Sequence, residues 1–158
     1  MSGQNSGSRA SAAIRALQSA LAAEHAAVYG YGIVGAYLAG SMQATATADW
    51  VAHQQAGNAL ETMLRARGAQ PAAAAVAYEL PVAVQAPAQA VSLAVIIEDR
   101  IAAAYLGLVT VSASEIRTFA ALHVQAAALR AASWSGSTVA FPGLPALAAG
   151  PRRRSHGG

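Results

Sequence analysis

Leu21-Ala-Ala-Glu24-His25-Ala-Ala-Val28-Tyr29-Gly30-Tyr31-Gly32 sets the frame for the rest of the chain. At helical spacing Ile14, Leu17, Leu21, Val28, Tyr31 and Leu38 fall on one stripe, the face a helix turns toward a core. Glu24 lies on that same stripe, where a carboxylate is costly unless something pairs with it. The oddity recurs in each later helical segment, so one polar group per helix is aimed at a shared interior.

The first helix is expected from about Ser11 to Ala39, ending near Gly40. Its second half places Gly32, Ala36 and Gly40 on one face, where small residues let a neighbouring backbone come close. After a turn near Ser41-Met-Gln43, a second helix runs to about Arg67 with the stripe Trp50, His53, Gly57, Leu60 and Leu64. Arg65 and Arg67 suit its last turn, and Gly68 suits its C-terminal cap. Prolines 71, 81 and 87 then break any long helix, leaving at most a short turn through Ala72–Ala77. A connection this long needs a reason, and crossing the length of a bundle is one.

A third helix is expected from about Ala88 to Thr110, with Val91, Ala94, Glu98, Ile101, Tyr105 and Leu108 on its stripe. Ser112-Ala-Ser-Glu115 has the form of a capping box, so a fourth helix starts there and continues to about Trp134. Its stripe is Ile116, Phe119, His123, Ala127 and Arg130. Beyond it, Phe141-Pro-Gly-Leu-Pro145 reads as extended chain laid back over the bundle. The domain plan is a disordered N-terminus over 1–10, one bundle with its extended segment over 11–145, and a flexible basic tail over 146–158.

Short, long and short connections make two helical hairpins joined by one crossover, the ferritin-like arrangement of an all-α four-helix bundle. The segments Ala23-Glu-His-Ala-Ala-Val-Tyr-Gly-Tyr-Gly32, Tyr78-Glu-Leu-Pro81 and Phe141-Pro-Gly-Leu-Pro145, with the glutamate of the third helix, resemble the actinobacterial ferritin-like domain of unknown function. The resemblance runs from about Ala13 to Pro145. It implies a ferritin-like fold and a dimer, and it brings no activity with it.

Composition excludes several classes. The 158 residues make one domain with a real core, and 55% are apolar, a large share of them alanine, the best helix former. No cysteine is present, which removes disulfides, zinc–thiolate sites and thiol catalysis. All ten basic residues are arginine, and three of them, Arg152, Arg153 and Arg154, sit in the tail. The body is therefore formally neutral, and no basic face for nucleic acid is expected. The polar start, Met1 to Arg9, lacks the apolar run of a signal peptide, so a cytoplasmic protein is expected. Apolar stretches at 22–40 and 82–112 carry Glu24 and Glu98-Asp99-Arg100, which argues against membrane spans. Gly30-Tyr-Gly-Ile-Val-Gly35 matches a dinucleotide-binding spacing but lies inside a helix with no preceding strand. No serine sits in a nucleophile elbow.

Glu24, His53, Glu98 and His123 remain as the candidate site, in the order Glu, His, Glu, His along four helices. Di-iron bundles place a Glu on two helices and Glu-x-x-His on the other two. Here Trp50 and Ala120 stand three residues before the histidines, so both bridging carboxylates are missing and a di-metal centre is not expected. Two readings stay open. The four residues bind one divalent ion, with iron, manganese and zinc all suited to the donors. Or they bind none, and the carboxylates are satisfied by histidines and by the hydroxyls of Tyr29, Tyr31 and Tyr105. Counting from the turns, Glu98 and His123 share a level, whereas Glu24 lies about five residues deeper than His53, roughly 7 Å at helical rise. His25 is placed at a helix boundary or interface and His156 in the tail. Asp49, Glu61, Glu79 and Asp99 read as solvated or capping charges, and Glu115 as part of the capping box. The functional expectation is a non-catalytic binding or structural homodimer with a degenerate di-iron site. The alternative is a mononuclear metal protein or metalloenzyme. Dimerisation is expected through the small-residue face of the first helix or the aromatic region around Trp134 and Phe141.

Overall fold

The computed structural model describes residues 2–111 and 113–136, with residues 2–6 as backbone alone. The expected extended segment Phe141–Pro145, the tail and Ser112 of the capping box lie outside the described residues. Four helices account for the fold: α1 (Ser2–Ala36), α2 (Gly40–Arg65), α3 (Pro87–Val109) and α4 (Ser114–Ser135). No strand occurs among the described residues. An all-α four-helix bundle with a long crossover between its second and third helices is the expected architecture, and it is the one found.

The boundaries differ where turn geometry overrides periodicity. α1 starts at Ser2 rather than Ser11; the polar residues ahead of Ser11 include no proline to stop a helix. The α1–α2 turn falls at Tyr37–Ala39, ahead of the expected Ser41–Gln43, and α2 opens on Gly40 at φ 58. That left-handed conformation is costly for any residue with a Cβ. At the other end of α2, Gly68 at φ 70 turns the chain out. Pro87 is the first residue of α3, where its missing N–H costs nothing. The N-cap of α4 is Ala113 without a side-chain cap, and Glu115 instead pairs with Arg67 at the end of α2.

The crossover over residues 66–86 contains no regular helix. It runs alongside α1 in the same direction. Gln18 donates to the Gln70 carbonyl at 2.7 Å and accepts from the Ala72 N–H at 3.0 Å, and further along Tyr29 packs on Tyr78 at a ring separation of 5.6 Å. The crossover therefore returns the chain to the end where α1 finishes and α2 begins, so α2 and α3 are parallel and the order is up, down, down, up. Side-chain pairs agree: Tyr31 meets Glu98 and Glu24 meets Tyr105, so numbers rise on α1 as they fall on α3.

Leu17, Leu21, Leu60, Leu64, Leu93, Ile101, Leu108 and Ile116 are fully buried between the helices. The closest helix pairs are α3–α4, α1–α2 and α1–α3. Gly30 permits the last of these, because a Cβ there would lie 2.6 Å from Ile97 Cδ1. α2 and α4 stand further apart and are joined by long side chains, chiefly Trp134 on Asp49. Among the described residues no helix is long and apolar enough to cross a membrane.

Candidate functional site

The polar groups aimed at the bundle interior form one connected network centred on His53. The α1–α2 turn at Tyr37–Ala39 removes the depth difference expected between Glu24 and His53, because the two now lie nearly equally far from the ends of their helices. His53 Nδ1 is 2.7 Å from Glu24 Oε2, and Nε2 is 3.0 Å from Glu98 Oε1. All three residues are no more than 1% exposed. Tyr105 donates its hydroxyl to Glu24 Oε1 at 2.7 Å. Tyr31 donates to Glu98 Oε1 at 2.6 Å and lays its ring against His53 at 5.1 Å.

Arg130 completes this centre, its Nε donating to Glu98 Oε1 at 2.9 Å. One carboxylate oxygen thus accepts from Tyr31, His53 and Arg130, while Glu98 Oε2 is buried with no hydrogen-bond partner. Asp49 extends the network toward α4. Trp134 Nε1 donates to its Oδ2 at 2.9 Å, and the Tyr31 hydroxyl lies 3.4 Å from the same atom.

Burial alone would strip the proton from His53, but hydrogen bonds to Glu24 and Glu98, and their charges, raise its pKa to about 9. Burial pushes Glu98 upward, yet the His53 hydrogen bond and charge, with Arg130, hold it below the usual carboxylate range. Burial raises the Tyr31 and Tyr105 hydroxyls, and the neighbouring carboxylates raise them further, so both stay protonated donors. Two carboxylates, one imidazolium and one guanidinium balance. Asp49 is left over, and burial raises its pKa despite the Trp134 hydrogen bond.

The structure brings together Glu24, His53 and Glu98 of the four candidate residues. It does not bring His123 to them. That ring is half-buried, stacked on Tyr105 at 4.7 Å and tilted against Phe119 at 4.3 Å, and burial lowers its pKa. Along the α3–α4 pair His123 faces Tyr105 and Arg130 faces Glu98, about two helical turns away. Of the three tyrosines, Tyr31 and Tyr105 serve the carboxylates and Tyr29 packs on the crossover instead.

Asp49 corrects the sequence reading: it is buried at 9% exposure rather than solvated. It precedes His53 by one helical turn and so shares its face, while Trp50, placed on the stripe, is half-buried beside it. Arg130, a cation on the same stripe as His123, was the second available signal. Glu61 pairs with Arg65, and Glu79 and Asp99 are exposed, as solvated charges should be.

These residues do not fit a metal as they stand. A carboxylate cannot donate a hydrogen bond, so two carboxylates on one imidazole require protons on both nitrogens and leave no lone pair for a metal. Arg130 brings a further positive charge to Glu98. No group of three or more His, Cys, Asp or Glu among the described residues is arranged to hold a metal ion. A cavity of about 300 Å³ lies beside the network, walled by Glu24, His25, His53, Gln54, Asn58 and Glu61.

No curated protein matches the chain. Among solved structures, the chain is similar to a conserved hypothetical protein, rv2844, from Mycobacterium tuberculosis, with 35% sequence identity and a TM-score of 0.77. The match covers 80% of this chain and 96% of the other. The greater part of α1, the crossover and all of α2, α3 and α4 fall within residues 16–146, which match the family model described as "Domain of unknown function (DUF4439)", and the chain belongs to that family.

Proposed function

We propose that this protein is a ferritin-like bundle without catalytic activity, a binding or structural homodimer whose degenerate di-iron site has become an internal salt-bridge network. The observation that carries the reading is His53 bonded through both ring nitrogens to Glu24 and Glu98, with Arg130 as the second cation. Charges that metal ions would otherwise balance are balanced by side chains. Trp50 and Ala120, standing where bridging carboxylates belong, support the same reading. The cavity beside Glu24 and His53 is where the binding role would reach the network.

A second reading is a mononuclear metal protein using Glu24, His53, Glu98 and His123 with iron, manganese or zinc. Glu98 Oε2, buried and without a partner, is the observation that favours it. Elemental analysis and thermal melting of protein purified without a histidine tag separate the two. The first reading expects substoichiometric metal and a melting temperature that neither EDTA nor added manganese or zinc moves. One ion per chain, with a melting temperature lowered by EDTA, would overturn it in favour of the second.

A further inference from the structure

We propose that the groove between α1 and α2 beside Trp50 is the docking site of this chain's own C-terminal segment, Phe141 to Pro145. The groove has a volume of about 450 Å³. Gly32 and Ala36 of α1 wall it on one side, Ala44, Thr47 and Trp50 of α2 on the other, and Tyr31 lies at its floor. No charged residue lines it. Gly32, Ala36 and Gly40 are the small residues expected to let a neighbouring backbone come close, yet the four helices bring nothing to them. All three are exposed, and a Cβ at Gly32 or Gly40 would meet no atom of the described residues within 4 Å. Glycine weakens a helix interior, so Gly32 points to chain that approaches it from outside the four helices.

Reach, charge and the extent of the domain identify the occupant. α4 is capped by Gly136, whose φ of 67 turns the chain out of the helix. Two residues earlier, Trp134 bonds Asp49, the neighbour of Trp50, and its ring lies 6.4 Å from that of Tyr31. The chain therefore leaves α4 level with the groove. Phe141 is five residues beyond Gly136 and Leu144 eight, about 17 and 28 Å of extended chain. From α4 to the groove is one to two interhelical distances of about 8–10 Å each, so the segment spans it. Between Arg130 and Arg152 no residue is charged, and Val139, Phe141, Leu144 and Leu147 are apolar, which suits an uncharged groove. Pro142 and Pro145 favour extended backbone, narrow enough to lie between walls of glycine and alanine. The family match runs to residue 146, so the ten residues after Gly136 belong to the domain and are not an appended tail.

The chain has no cysteine, so introduced thiols report on the contact without interference. Under mild oxidation of the full chain, Thr47→Cys combined with Ala140→Cys or Ala146→Cys, on either side of the segment, should cross-link within one chain. Leu122→Cys, on the exposed face of α4, should not cross-link to either. Gly32→Leu fills the groove where the bundle has room, and should remove the cross-link at position 47 while leaving the helical circular dichroism intact. A second readout comes from Trp50, the half-buried one of the two tryptophans, since Trp134 is buried. Phe141→Ser with Leu144→Ser should raise acrylamide quenching of the full chain and move its emission to longer wavelength. No cross-link at position 47, a cross-link at position 122 in its place, or one that joins two chains would overturn the proposal. Quenching that Phe141→Ser with Leu144→Ser leaves unchanged would overturn it as well. None of these outcomes depends on metal content, so the internal salt-bridge reading stands or falls separately.

Discussion

Glu98→Ala is the sharpest test of the buried network, and its size can be worked from the geometry. In the fold His53 holds its proton to about pH 9, against 6.5 for the free side chain. At about 1.4 kcal/mol for each pH unit this is about 3 kcal/mol of stability, supplied jointly by Glu24 and Glu98. Removing Glu98 takes roughly half of it. The Tyr31 hydroxyl, fully buried and 2.6 Å from Glu98, loses its main acceptor, at a cost of about 1–3 kcal/mol. Arg130 is 19% exposed and turns toward water, so it adds little. The expected loss is about 3–5 kcal/mol, the range for breaking a buried charged pair. The sign with pH follows from the raised His53 value. Its contribution is complete below about pH 6.5 and is lost as pH rises through about 9. The gap between wild type and variant should therefore be widest near pH 6 and narrow by roughly 1–2 kcal/mol near pH 10. Urea unfolding followed by circular dichroism at both pH values measures it. A variant within about 1 kcal/mol of wild type at pH 6, or a loss that does not change with pH, would refute the network as drawn here.

Asp49→Asn should be neutral or stabilising at pH 7, because burial already disfavours the charged form and the amide oxygen can still accept from Trp134; thermal melts at pH 7 and pH 4 check this, with the benefit smaller at pH 4. Gly57→Ala should stabilise by about 0.5–1 kcal/mol in chemical unfolding, since the new Cβ would meet Glu24 Cβ and Leu21 Cδ1 at 3.8 and 3.9 Å, ordinary contact distances. Gly30→Ala should bring little gain alone, because its Cβ meets Ile97 Cδ1 at 2.6 Å. Combined with Ile97→Val it should stabilise, and the double-mutant cycle should show a coupling of about 0.5–1 kcal/mol; additive effects would mean that the α1–α3 contact is looser than described.

Much of this molecule is written in local chemistry. Leu17, Leu21, Leu60, Leu64, Ile101 and Leu108 repeat with a helical period, and all are buried. Glu24, His53 and Glu98 stood out because they broke that period with polarity, and all three point inward. The prolines of the crossover and Gly68 marked where helices could not continue, and Pro87 marked where one could begin. Periodicity fixes which side of a helix a residue occupies. Height along the bundle depends on turn length and on how neighbouring helices slide to pack, and neither is a property of one segment. A turn at Tyr37–Ala39 set Glu24 level with His53. The register of α3 against α4 gave Glu98 to Arg130 and left His123 on Tyr105. Asp49 looked like a surface charge until Trp134, arriving from α4, closed over it. The sequence by itself determined which groups are buried; the tertiary structure decided which of them meet, because pairing is a matter of distances between helices that no single helix contains.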